Sequence, residues 1–426
     1  MKPLFLSLFL LFSIASNSQR PDLNYFLEKA KSNSPLINRS KNENIIADLD
    51  LSQVRSILSK PEISIESGVL FAPIISHDNN SNKFQFVSEG ADKYTGYDLA
   101  VTEGGQYQAV VSVKQSLFTA SKYQAYSEMN DISHRINENN IALTIHETEQ
   151  LVTYQYLLCL KSGLEVENSS LILKELGEQI SILKKLVENA VYKQTDLLLL
   201  QIEYKNYEVE LNMRKADYRN NFYDMNLLCG INDTTLHEIQ EINLQLKTAN
   251  STSSQFLTSY SLDSLNILKS LSIEELKYKP EVGLFADAGL NAVYLPSFNR
   301  FGFSTGLTFK MNLFDGRQKE IMRNRAVINL NSIGFEKNNF ITKNDIYKNK
   351  TISNIKSLDE RLIIIEEQSS QYKTLFDVYT RELSQGEISA LAYKYLLKDI
   401  SAKMRERLLL KMEKQMLINS YNYWNY

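Results

Sequence analysis

The chain has 426 residues, 43% of them apolar and 23% charged, with a formal net charge of −3 and only 15 glycines, 7 prolines and 2 cysteines. A charge so near zero leaves no basic face for nucleic acid, and two cysteines are too few for a disulfide-stapled scaffold. Length alone allows two or three domains, but an internal repeat overrides that prior.

In chain order, residues 1–18 read as a secretory signal peptide: Met1-Lys2-Pro3 is a cationic start, Leu4 to Ala15 a short apolar run, and Ser16-Asn17-Ser18 a small-x-small cleavage site. The mature chain is expected to begin at Gln19, and no cysteine stands beside the site to carry a bacterial lipid anchor. No later stretch holds ~18 consecutive apolar residues, so any membrane span must be a barrel.

Residues 19–230 are expected to form a first structural repeat. It opens with a helix from Asp22 to Ser59, stopped by Pro61 where a strand begins. Ile63, Ile65, Val69 and Phe71 alternate with Glu62, Ser64, Glu66 and Gly68, and later Tyr107, Ala109, Val111 and Val113 alternate with Gln106, Gln108, Ser112 and Lys114. A long polar loop, Pro73 to Gly105, joins these two strands. A helix then runs from Ala120 to Ala190, 70 residue steps, about 105 Å at 1.5 Å per residue. The chain turns there and returns over Asp196 to Gly230. Proline is absent from Ile74 to Lys279 and from Ser297 onward, which permits such lengths.

An irregular Thr-, Asn- and Ser-rich linker is expected over residues 231–254, and a second repeat over 255–426. Its elements follow the same order. A shorter helix near Gln255 to Lys279 leads to a strand with Val282, Leu284, Ala286, Ala288 and Leu290 on one face. After a short loop, Ala292 to Asn299, a second strand sets Phe303, Leu307, Phe309, Met311 and Leu313 against Gly302, Ser304, Gly306, Thr308, Lys310 and Asn312. A long helix from Gly316 to Gly386 and a return limb from Ala392 to Tyr426 complete the copy.

Two readings of the strands stay open: membrane strands of about 9–11 residues with lipid on one face, or hairpins with one face on a soluble core. Four strands cannot close a barrel, since about 8 is the smallest workable number. Closure would demand oligomerisation, and three chains would supply twelve strands.

The repeat holds a constant offset of 196 residues, carrying Ser116-Leu117-Phe118-Thr119-Ala120 onto Asn312-Leu313-Phe314-Asp315-Gly316 and Ala190 onto Gly386. One inserted residue would turn a helix's buried stripe by about 100°, so unbroken register is the mark of continuous packed helices. Ile355, Leu358, Leu362, Ile365, Ser369, Tyr372, Phe376, Tyr379 and Leu383 follow a 3-4 alternation, and the same offset gives Cys159, Ser162, Val166, Ser169, Leu173, Leu176, Ile180, Leu183 and Val187. A seam of period 3.5 packs on a neighbouring helix as a left-handed coil. Cys159 sits on it, and both it and Cys229 read as small buried apolar residues.

These features together resemble the TolC-like outer membrane efflux proteins. The resemblance spans the mature chain and rests on the tandem repeat, the strand pairs, the helical turns and the Leu-Phe-x-Gly signature at each strand-to-helix exit, complete in Leu313-Phe314-Asp315-Gly316 and partial in Leu117-Phe118-Thr119-Ala120. It implies a fold that is mainly α with membrane β: long antiparallel coiled helices and four strands per chain, three chains forming a 12-stranded outer-membrane barrel continued by an α-helical periplasmic tunnel. The implied partners are two more copies of the chain, a periplasmic adaptor protein, an inner-membrane pump and outer-membrane lipid, and the implied activity is passive efflux or secretion. The family's turn has Gly followed six residues later by Asp. Here the first copy has Ala190 and Asp196, and the second has Gly386 and Ala392. The acidic residues that narrow the entrance in well-known members fall at Ala392 and Tyr395, so no acidic gate carries over. The tip and adaptor contact are expected at Ala190, Thr195, Asp196, Gly386, Ser389, Ala392 and Tyr395. Asp196 suits a helix cap as well as a gate.

Catalysis finds no foothold. His77, His134, His146 and His237 lack metal-ligand spacing, and no phosphate-binding glycine loop is present; no cofactor or enzyme activity is expected. The competing reading is an exported coiled-coil scaffold or adhesin without a pore. The aromatic end, Tyr421 to Tyr426, looks like a membrane-targeting signal but also suits packing beside the rods.

Overall fold

The computed structural model describes residues 20–86, 90–97, 106–248, 254–293 and 298–426. The expected leader and cleavage site lie outside them. In chain order the elements are α1 (Leu23–Asn33), α2 (Pro35–Ser59), β1 (Glu62–Leu70), β2 (Ile74–Ser76), β3 (Lys83–Gln85), β4 (Tyr94–Thr95), β5 (Gln106–Leu117), α3 (Ala120–Glu188), α4 (Gln194–Leu228), α5 (Gln255–Glu275), β6 (Glu281–Val293), β7 (Phe301–Lys310), α6 (Gln318–Gln385) and α7 (Ala390–Trp424). The offset survives in the architecture: α3 and α6 have 69 and 68 residues, and α4 and α7 have 35 each and start 196 residues apart.

The single helix expected from Asp22 to Ser59 is broken. Ser34 takes ψ 118°, because the residue before a proline is pushed out of the helical region, and Pro35 restarts the helix at its first position. Asp22 caps α1, its Oδ1 accepting from the Tyr25 N–H at 2.9 Å. No helix among the described residues is long and apolar enough to cross a membrane.

The chain divides into two compact units, each drawing on both halves of the sequence. The first comprises the chain up to Asn38, Ala142–Gln255 and Asn339–Tyr426. Every residue of both predicted seams is buried or half-buried there. One core gathers Phe26, Tyr156, Phe222, Met225, Cys229 and Met412; a second, by the helical turns, gathers Leu176, Leu183, Leu200, Leu383, Tyr393 and Leu397. Cys159 and Cys229 are free and buried, and burial pushes both thiols up to about 12. The linker is extended and clipped to α7 by amides. Gln415 Oε1 accepts from the Leu244 N–H at 2.6 Å, Asn422 Oδ1 accepts from the Lys247 N–H at 2.8 Å, and Asn425 Nδ2 donates to the Lys247 carbonyl at 2.9 Å. The aromatic end packs inside this unit: Trp424 stacks on Tyr347 and Tyr426 on His146.

The second unit comprises Arg39–Ile141 and Phe256–Asn338. It holds an antiparallel sheet in the order β1-β5-β6-β7 and a three-stranded sheet, β3-β2-β4, within the connection expected to be an irregular loop. The strand expected to run through Leu313 ends at Lys310. Lys310 pairs with Glu281, and the next partner is Pro280, which has no N–H to donate.

Candidate functional site

Three features stand out: a two-faced sheet, exposed strand-to-helix exits, and a pair of helical turns clasped to one another.

In antiparallel pairs, residues opposite one another share a face. The register Ile65↔Val111↔Ala288↔Phe303 therefore defines one side of all four strands, and neighbouring rows add Ile63, Val69, Leu284, Leu290, Phe301 and Leu307. The other side carries Glu62, Ser64, Glu66, Ser112, Lys114, Asp287 and Ser304. Lys114 donates to Glu66 across that polar side at 2.5 Å. The apolar side faces outward: Ile65 is 80% exposed and Phe303 86%. Water-facing sheets bury their apolar side, so this arrangement is inverted relative to a soluble hairpin. Among the described residues, β1 and β7 are the edges of this sheet.

At the exits, Phe118, Leu313 and Phe314 are all exposed and Leu117 half-buried. The two copies turn differently: the left-handed residue is Phe118 in the first, and Gly316 with Arg317 in the second. Asp315 Oδ2 accepts from the Lys319 N–H at 2.9 Å and starts α6.

Both long helices end in the same 6→1 closure. The Val191 N–H donates to the Leu186 carbonyl and the Glu387 N–H to the Glu382 carbonyl, each at 2.9 Å. The residue preceding each is left-handed, Ala190 at φ +61° and Gly386 at φ +80°, so the first turn holds an alanine where glycine costs nothing. The return helices start with complementary halves of one capping box. In α4 the Asp196 carboxylate accepts from the backbone of Lys193 at 3.2 Å; in α7 the Ser389 hydroxyl accepts from the Ala392 N–H at 3.1 Å.

The turns are also joined. Tyr192 Oη lies 2.5 Å from the Ile388 carbonyl and 3.1 Å from that of Leu383, and a Cβ on Gly386 would sit 2.6 Å from Val191 Cγ1. Buried charge locks the helices nearby: Lys394 pairs with Glu203 at 3.0 Å, and Arg214 with Glu165 at 3.4 Å and Glu210 at 3.3 Å. Among the described residues no cluster of His, Cys, Asp or Glu is arranged to hold a metal.

No family model and no characterised protein sequence matches the chain. Solved structures do. VceC, an outer membrane protein of Vibrio cholerae, superposes at TM-score 0.70 with 14% identity, over 95% of this chain and 95% of that one. The CmeC outer membrane channel of Campylobacter jejuni superposes at 0.69 with 12% identity, over 95% and 85%. The open state of the MtrE outer membrane channel of Neisseria gonorrhoeae superposes at 0.66 with 9% identity, over 95% and 88%. The chain has the TolC-like fold. At these identities the likeness is one of fold.

The TolC-like turns bring together Ala190, Thr195 and Asp196 in one copy and Gly386, Ser389, Ala392 and Tyr395 in the other. Thr195 and Ser389 are exposed, Asp196 and Ala392 half-buried, and Tyr395 is 59% exposed within the chain. Sequence reading missed Tyr192, Val191, Glu203, Arg214 and Lys394. Apart from the Glu210 that Arg214 meets on its own helix, their partners lie far away in sequence, on other helices or in the second turn, and Tyr192 meets Ile388, the residue 196 positions on.

Proposed function

We propose that the chain is the outer-membrane exit duct of a tripartite efflux or secretion system, passively conducting cargo delivered by an inner-membrane pump through a periplasmic adaptor. The single observation carrying this reading is the inverted sheet: four strands, apolar outside, polar inside, with both edges open among the described residues. An apolar outer side suits lipid, a polar inner side suits a water-filled lumen, and open edges pair with neighbouring copies. Three copies give a closed barrel of twelve strands, above the minimum of about 8. Its helical part lies in the periplasm.

A second surface supports self-association. Ile321, Ile328 and Phe335 recur at seven-residue spacing on α6, and all are exposed. A seam left exposed by the described residues of its own chain calls for a helix from another copy. A coiled-coil scaffold without a pore explains the rods but not the outward apolar sheet.

The clasped turns are the gate and adaptor contact. Opening means release of Tyr192 from the second turn and a shift of the residues around Ala190, Thr195, Asp196, Gly386, Ser389, Ala392 and Tyr395. The exits at Leu117, Phe118, Leu313, Phe314 and Gly316 mark the boundary between barrel and helices. Bilayer conductance of detergent-purified protein, with its mass measured in the same preparation, tests the reading. Trimers that insert and conduct are expected. Monomers or dimers soluble without detergent would refute it.

A further inference from the structure

The connection between β1 and β5 is folded. β2 pairs with both β3 and β4, and the Asp78 carboxylate is the hub. It accepts from the Ser76 hydroxyl at 3.1 Å, the Asp92 N–H at 3.2 Å and the Lys93 N–H at 2.9 Å. His77 adds a bridge, Nδ1 to Asn82 Oδ1 and Nε2 to Thr95 Oγ1, each at 2.7 Å. Side chains on this small sheet are therefore held to definite faces.

Those faces differ. Ile75 pairs with Phe84 and Thr95, whereas Ser76, Lys83 and Tyr94 take the opposite face. Phe84 and, just past the end of β3, Phe86 are 60% and 57% exposed. The Phe86 ring lies 5.2 Å from that of Phe84 and 5.4 Å from that of Phe71. Phe71 in turn continues the alternation of Ile63, Ile65 and Val69, the outward apolar side of the four-stranded sheet. The aromatic patch thus prolongs that side. It does so at the sheet end remote from the helices, since α2 leads into the start of β1 and α3 follows the end of β5.

We infer that this patch is a second membrane contact, with Phe71, Phe84 and Phe86 seated at the headgroup–acyl boundary of the outer leaflet, so that the connection lies on lipid instead of standing in water. Aromatic side chains favour that boundary, and a contiguous apolar patch on a rigid support marks a contact surface. A neighbouring copy is the weaker occupant. It would join β1 within the plane of the sheet, whereas Phe71 belongs to the row directed out of that plane. The inference rests on the membrane reading proposed above.

Because both native thiols are buried, single cysteines can be labelled in the full-length protein with an environment-sensitive dye. The test compares Phe84→Cys, Lys83→Cys and Phe303→Cys in phosphatidylcholine vesicles containing nitroxide-bearing lipid. Phe84 and Lys83 adjoin on one strand but point to opposite faces. Blue-shifted emission and strong quenching at 84 and 303, with little at 83, is the expected result. Quenching at 303 without quenching at 84 overturns the inference and leaves the duct intact; iodide then tells whether water or a neighbouring copy covers the patch. No lipid quenching at 303 overturns the membrane reading itself, and the inference with it.

Discussion

Replacing Gly386 with alanine imposes two separable costs. A non-glycine residue in the left-handed region loses about 1–2 kcal/mol, and Gly386 sits at φ +80°. The new Cβ also falls 2.6 Å from Val191 Cγ1, an overlap of the kind that costs about 1–3 kcal/mol when a packed site is overfilled. The first turn shows that the backbone cost alone is tolerated, since Ala190 bears it at φ +61° while remaining exposed. Amide hydrogen exchange through the end of α6 and the start of α7 reports the opening of this turn, and about 1.4 kcal/mol is tenfold in an equilibrium. Gly386→Ala, at about 2–5 kcal/mol for the two costs together, is expected to speed that exchange by about 30–4,000-fold. Gly386→Ala combined with Val191→Ala should return it to about tenfold, the backbone part alone. Ala190→Gly should act oppositely and slow exchange at the first turn. If Gly386→Ala exchanges like wild type, or if trimming Val191 restores nothing, contact between the turns is not what holds Gly386 in place.

Tyr192→Phe removes the hydroxyl shared between the Leu383 and Ile388 carbonyls, about 1 kcal/mol of turn-to-turn coupling. The same exchange measurement should show faster opening of both turns, with the rest of α3 unchanged. Arg214→Leu strands Glu165, which is 7% exposed and, among the described residues, keeps just the ion pair with Arg405 at 3.8 Å. A loss of about 3–5 kcal/mol is expected, read as a lowered thermal midpoint and largely recovered when Glu165 is also replaced by leucine. Burial between Tyr423 and Tyr426 lowers the pKa of His146, against the smaller opposing effects of its hydrogen bond to the Tyr423 carbonyl and of Glu149. A depressed value means the unfolded form binds the proton more readily. The contribution to tail docking is therefore complete above about pH 6.5 and lost as pH falls below it. Emission from Trp424, the single tryptophan, should report loosening in that window, and His146→Gln should flatten the response. Cys159 and Cys229, with thiols held up to about 12, should resist maleimide until the protein unfolds.

How much of this was legible in the sequence depended on how local each signal was. The seams from Cys159 to Val187 and from Ile355 to Leu383 were legible because a helix keeps phase over its whole length. The four long strands were legible because alternation needs only neighbours. The break at Ser34 was also local, since Pro35 marks it, although a single helix was expected to run through it. The small sheet was not legible: strands of three and two residues carry no usable period, and they exist because Asp78 gathers donors from residues 14 and 15 positions away. The Tyr192 clasp joins atoms 196 residues apart, so nothing near either turn announces it.

The turn motifs show why partial matches were the right thing to find. The first copy lacks the turn glycine and the second lacks the helix-start acid, yet both close with the same 6→1 bond and both return helices are capped. Asp196 reaches back from the third helical position to the backbone of Lys193. Ser389, in the place of Lys193, reaches forward to Ala392, in the place of Asp196. Either side chain satisfies one orphan donor at a helix start, so either suffices, and a search for one motif in both halves recovers only half of it in each. What the copies share at the tip is backbone geometry. Because Tyr192 ties one turn to the other, a displacement of either is carried to its partner although the side chains at Ala190, Lys193 and Asp196 are not repeated at Gly386, Ser389 and Ala392.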